Sequence, residues 1–137
     1  MLFPFMLPHF KPYLTILDIL NSRKDVNGEI KISQKYIGEL MGLSQTNVSK
    51  RVRDLLRCGA IEKISAGKYK IIKDDIYHTP YKTVEDVILL VKKQPEIFRE
   101  YKKQAELLNV EINDIYQAWA YIDIDIKNFE YLNKLKD

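Results

Sequence analysis

Cysteine is nearly absent. The 137-residue chain has one, Cys58, which excludes a disulfide framework within the chain and any zinc site built from several thiolates. Such usage fits a reducing compartment, and a cytoplasmic location is the expectation. Histidine is also sparse. His9 and His78 lie far apart and share no ligand spacing, so no metal site is expected. No glycine-rich phosphate loop, HExxH sequence or nucleophile elbow occurs. Asp74-Asp75 has no basic or nucleophilic partner in a motif and reads as linker charge. Neither a cofactor nor enzymatic activity is expected from this set. No apolar run approaches the roughly 18 residues of a membrane span, so no membrane partner is expected. The apolar opening MLFPFMLPHF lacks a basic start and carries Pro4, Pro8 and His9, which argues against a signal peptide.

What is present is a charge asymmetry. Residues 1–73 carry 13 Lys/Arg against 6 Asp/Glu, a net +7, whereas residues 74–137 carry 9 against 13, a net −4. A basic half joined to an acidic half suggests that one half meets a polyanion and the other does something else.

The local signals give an order of elements. Tyr13, Ile16, Leu17 and Leu20 form an apolar stripe at helical spacing, and Pro12 suits a first turn, so a helix is expected over about residues 12–22. EIKIS alternates, with Ile30 and Ile32 on one face, and reads as a short strand. Ser33 can cap a helix that ends at Gly42. Leu43 fills the turn, and Ser44 caps a further helix to Cys58, stopped by Gly59. Arms 61–65 and 68–73 flank Ala66-Gly67 as a hairpin. A linker is expected at 74–82. Thr83 with Asp86 resembles a capping box for the next helix, and Pro95 suits the start of another. Finally Ile112, Ile115, Trp119, Ile122, Ile126 and Phe129 recur at alternating spacings of three and four, the register of a helical seam.

The helix over 44–58 is the informative one. On a wheel of about 100° per residue, Val48, Val52, Leu55 and Leu56 gather into one apolar stripe. Thr46, Lys50, Arg53 and Arg57 crowd the opposite face, with Asn47 and Ser49 on its flanks and Gln45 in the first turn. The major groove of DNA admits an α-helix, and Gln, Asn and Arg make two-point contacts to base edges there. Gln45, Thr46, Asn47, Ser49, Lys50 and Arg53, with Ser44 at the helix start, are the candidates for base or adjacent phosphate contacts. Arg51 and Arg57 are candidates for the phosphate backbone, which supplies most sequence-independent affinity. In the hairpin, Lys68 and Lys70 share one face while Tyr69 and Ile71 point inward. The two lysines, the backbone at Gly67, and Lys63 beside them are candidates for a phosphate or the minor groove.

The stretch ISQKYIGELMGLSQTNVSKRVRDLLRCGAIEK resembles the winged helix-turn-helix of bacterial regulators, the MarR-like group above all. Gly42-Leu43-Ser44, Val48, Leu55, Gly59, Ile61 and the basic hairpin carry the likeness. The same pattern occurs in RepL-type plasmid replication proteins and in phage replication organisers. The resemblance spans residues 12–73. It implies a mostly α fold with a small β-hairpin wing in residues 1–73, the apolar arm included, and the local signals above add a helical region over 83–137. It also implies sequence-specific binding of double-stranded DNA by a transcriptional regulator of a plasmid, phage or other element. A replication or partition protein is the alternative within that class, and a protein–protein interaction module is the alternative outside it. Winged-helix proteins that read palindromes pair through terminal helices, so the 112–129 seam is expected to hold a homodimer. The same seam would serve equally as core within one chain. The acidic C-terminal region could also take a protein partner.

Overall fold

A computed structural model of the chain describes residues 3–124. It is mostly helical with a small three-stranded antiparallel sheet. Two compact units are present: Phe10–Thr79, and a second made of the residues up to His9 together with those from Pro80 onward. The boundary falls inside the expected 74–82 linker. The apolar arm, expected with the N-terminal domain, belongs instead to the second unit. There the Phe3 backbone N–H donates to Tyr81 Oη at 2.6 Å, and that hydroxyl donates to Glu85 Oε2 at 2.8 Å, all three residues being buried.

The elements are α1 (Leu7–Asn21), β1 (Glu29–Lys31), α2 (Gln34–Met41), α3 (Gln45–Arg57), β2 (Ile61–Ser65) and β3 (Lys68–Ile71), with α4 (Tyr81–Lys93), α5 (Tyr101–Leu108) and α6 (Ile112–Ile124) after them. Helix α1 starts earlier than its Pro12 signal suggests, so the proline lies inside it. An interior proline costs roughly 3 kcal/mol. Each fully buried large apolar side chain returns about 1.5–3 kcal/mol. Phe10, Tyr13, Ile16, Leu17 and Leu20 are all buried, and their sum outweighs one proline.

The sheet order is β1-β3-β2. Its register pairs Ile30 with Tyr69 and Ile61 with Ile71. Directly paired residues share a face, so one face carries Ile30, Tyr69 and Ile61 into the core. Ile16, Leu17, Leu20, Ile37, Val48, Val52 and Leu55 are buried with them. Ile71, expected to point inward as Tyr69 does, is only half-buried, and so is Leu56.

The second unit departs from its local signals at both helix starts. Helix α4 begins at Tyr81 after Pro80, with no side-chain cap, and Asp86 pairs with Lys82 at 2.8 Å instead of closing a capping box. Pro95 opens only a 3-10 turn, Pro95–Ile97, and α5 starts at Tyr101. Three of the four seam residues that α6 carries are interior. Ile115, Trp119 and Ile122 are 0%, 3% and 0% exposed, and Ile112 sits at the rim at 36%. Trp119 Nε1 donates to Gln104 Oε1 at 2.8 Å, and Gln104 Nε2 donates to the carbonyls of Ile97 and Phe98 at 2.8 and 3.1 Å. The Phe98 ring stands edge-on to Trp119 with centroids 5.1 Å apart. This corrects the expectation of a dimer seam at Ile115, Trp119 and Ile122, because the same 3/4 spacing serves a helix packed within its own chain. Ile126 and Phe129 lie outside the described residues. Among the described residues no helix is long and apolar enough to cross a membrane.

Candidate nucleic-acid interface

Two capped helices and one tight turn position the polar face of α3. Ser33 Oγ accepts the Tyr36 N–H at 3.1 Å at the start of α2. Gly42 ends α2 with φ +69, a left-handed conformation that a Cβ would strain. The Leu43 N–H then donates to the Gly38 carbonyl at 2.9 Å. Ser44 Oγ accepts the Asn47 N–H at 3.2 Å and fixes the first turn of α3. Ser44 is thus the cap that the sequence predicts.

Gly38 is a residue the sequence reading missed. A Cβ at this position would lie 2.6 Å from the Leu43 carbonyl oxygen and 3.5 Å from Val48 Cγ2. The signal was available. A mid-helix glycine costs about 1 kcal/mol against alanine and needs a reason, which here is the close approach of α2 to the turn and to α3.

Val48, Val52 and Leu55 anchor α3 in the core. Gln45, Thr46, Asn47, Lys50, Arg53 and Arg57 are exposed, and Ser49 is half-buried. Lys50 and Arg53 make no ion pair among the described residues. Arg51 departs from expectation. It is half-buried, its guanidinium lies 5.7 Å from the centroid of the Tyr13 ring, and its Nε is enclosed without a hydrogen-bond partner. Part of the side chain therefore packs against α1. Asp54, which the sequence reading did not single out, is buried beside the stripe and accepts a hydrogen bond from Tyr13 Oη at 2.6 Å. Tyr13 thus meets two charged residues of α3 and sets how that helix is rotated about its axis.

The hairpin is less cationic than its lysines suggest. Lys68 Nζ lies 2.7 Å from Glu29 Oε1. The hydrogen bond to Glu29, and then the charge of that carboxylate, hold the Lys68 ammonium above its ordinary pKa. Lys70 stands opposite Glu29 on one side and opposite Glu62 on the other. Lys63 stands opposite Tyr69, which corrects its expected place with Lys68 and Lys70, because the register puts it on the other face. The Gly67 carbonyl accepts the Ile32 N–H at 3.0 Å, which ties the hairpin turn to the end of β1. Beyond the sheet, Asp75 accepts the His78 backbone N–H at 3.1 Å and meets His78 Nδ1 at 2.7 Å. The hydrogen bond with His78 lowers the Asp75 carboxyl below its ordinary value. This closes a local 3-10 turn, Ile76–His78, as a linker residue would.

The interface that emerges is one-sided. A single anchored helix presents six exposed polar or cationic side chains, and the neighbouring sheet presents charge of both signs with one ion pair, Lys68 with Glu29. Comparison of the chain with protein-family models, curated proteins and solved structures finds no match.

Proposed function

We propose that Phe10–Thr79 is a winged helix-turn-helix domain that binds double-stranded DNA sequence-specifically and regulates transcription, with α3 in the major groove. One observation carries the reading. Val48, Val52 and Leu55 anchor a helix whose exposed face holds Gln45, Thr46, Asn47, Lys50, Arg53 and Arg57. An α-helix with its side chains is about 10–12 Å across. The major groove is about 12 Å wide, and every base pair shows a distinct donor and acceptor pattern there. Gln45 and Asn47 suit adenine edges, and Lys50 and Arg53 suit the two acceptors of guanine. Arg57, at the last turn, suits a phosphate. The +7 balance of residues 1–73 favours approach to a polyanion. The reading needs no pairing of copies through α6, whose Ile115, Trp119 and Ile122 are interior.

Titration of duplex DNA against single variants over a range of salt tests the reading. Arg53→Ala weakens binding by about 1–3 kcal/mol, roughly 5- to 150-fold, and relaxes base preference at one position. Arg57→Ala weakens all sequences alike and flattens the salt dependence by about one unit. Unchanged binding in both variants would overturn the docking.

A further inference from the structure

The outer face of the sheet carries a second piece of information about the same site. Glu29, Lys31, Glu62, Lys68 and Lys70 share it by register. Three cations there face two carboxylates. Glu29 reaches diagonally to Lys68 at 2.7 Å while standing directly across from Lys70, and Glu62 flanks Lys70 from the other edge. Lys68 is thereby paired with a carboxylate of β1, and Lys70, which makes no ion pair among the described residues, stands between carboxylates of both neighbouring strands. A lysine paired with a carboxylate has its charge offset there, and that carboxylate repels an approaching phosphate.

We propose that Glu29, assisted by Glu62, sets the sequence-independent part of DNA affinity by keeping Lys68 and Lys70 from the phosphate backbone. The inference rests on the DNA-binding reading above. Phosphate contacts carry no sequence information, and each adds about 0.9 to the salt slope. With most of this face's positive charge offset, the chain depends more on the base-facing side chains of α3 and is held less by the vast excess of random sites in a genome. Glu29 is thus an affinity-limiting residue, and its removal strengthens binding.

The experiment measures affinity for a random-sequence duplex, with the full chain, at several salt concentrations. Glu29→Gln keeps the size and hydrogen-bonding capacity of the side chain and removes its charge. It tightens binding several-fold, about 3- to 10-fold, and steepens the salt slope by about one unit. Glu62→Gln acts in the same direction and adds to it. Lys68→Met alone leaves affinity within about twofold of the unaltered chain, because that lysine is already paired, and it cancels most of the gain when combined with Glu29→Gln. Melting curves of each variant confirm that the fold is kept. A Glu29→Gln chain that binds no tighter than the unaltered one, while the unaltered chain does bind DNA, overturns this inference and leaves the DNA-binding reading standing. So does a Lys68→Met loss that is the same size in both backgrounds. An unaltered chain that retains no DNA at low salt overturns both.

Discussion

Trp119→Ala lowers the stability of the chain by about 3–5 kcal/mol, the usual cost of emptying a buried tryptophan site. The residue is 3% exposed and packs edge-on against Phe98. Its indole N–H is also the donor to Gln104 Oε1. Removing it leaves a fully buried amide oxygen without that partner, and an orphaned buried acceptor costs about 1–3 kcal/mol. Trp119→Phe separates the two contributions, since it keeps a ring and deletes the donor. Its expected loss is correspondingly smaller, and larger than a ring-size change alone would give. Urea unfolding followed by circular dichroism reads both variants. The same data test where the seam lies. A core within one chain gives an unfolding midpoint independent of protein concentration. A seam between copies gives one that rises with concentration and a Trp119 loss that vanishes on dilution. The second outcome would overturn the assignment of Ile115, Trp119 and Ile122 to the interior.

Gly38→Val destabilises by about 1–2.5 kcal/mol and loosens the turn that sets α3. Two effects compete. Replacing a helical glycine by valine gains a few tenths of a kcal/mol in propensity. The new Cβ, however, would sit 2.6 Å from the Leu43 carbonyl oxygen, which belongs to backbone and cannot rotate away. Overpacking at a rigid contact costs about 1–3 kcal/mol, so the steric cost wins. Leu43 also donates its N–H to the Gly38 carbonyl, so movement there shifts both ends of the turn. DNA affinity should fall by more than the unfolded fraction accounts for, because α3 is displaced in the molecules that remain folded. Gly38→Ala isolates the Cβ. At an open helical site that change would stabilise by about 1 kcal/mol. A more stable alanine variant would therefore contradict the close approach of the two helices.

Local chemistry was legible in the sequence. Ser33, Gly42, Ser44 and Gly59 punctuate α2 and α3 where the structure begins and ends them. The apolar stripe of Val48, Val52 and Leu55 separated the buried side of α3 from its exposed side. Each of these features acts over one or two turns of chain, within reach of spacing rules. Pairings between distant segments were not legible. Tyr13 meets Asp54 across 41 residues, and nothing near either residue specifies the other. Glu29 neutralises Lys68 only because β1 pairs with β3 in one register, and a slip of one residue would turn Glu29 to the opposite face. Lys63 failed for the same reason, since its face depends on pairing with Tyr69. The α6 seam misled because helix packing within a chain and between chains obeys one periodicity. Gly38 could have been found, since a glycine inside an amphipathic helix calls for a packing partner.

The most direct measurement is selection of bound duplexes from a random DNA pool by the full chain at moderate salt. The account predicts enrichment of a short motif whose retention falls steeply as salt rises. An inverted repeat would add a two-fold pairing of copies through a surface other than Ile115–Ile122 and would fit a regulator. Tandem direct sites would fit replication or partition. A pool that stays random, with no DNA retained even at low salt, would contradict the account and leave α3 as a surface for protein partners.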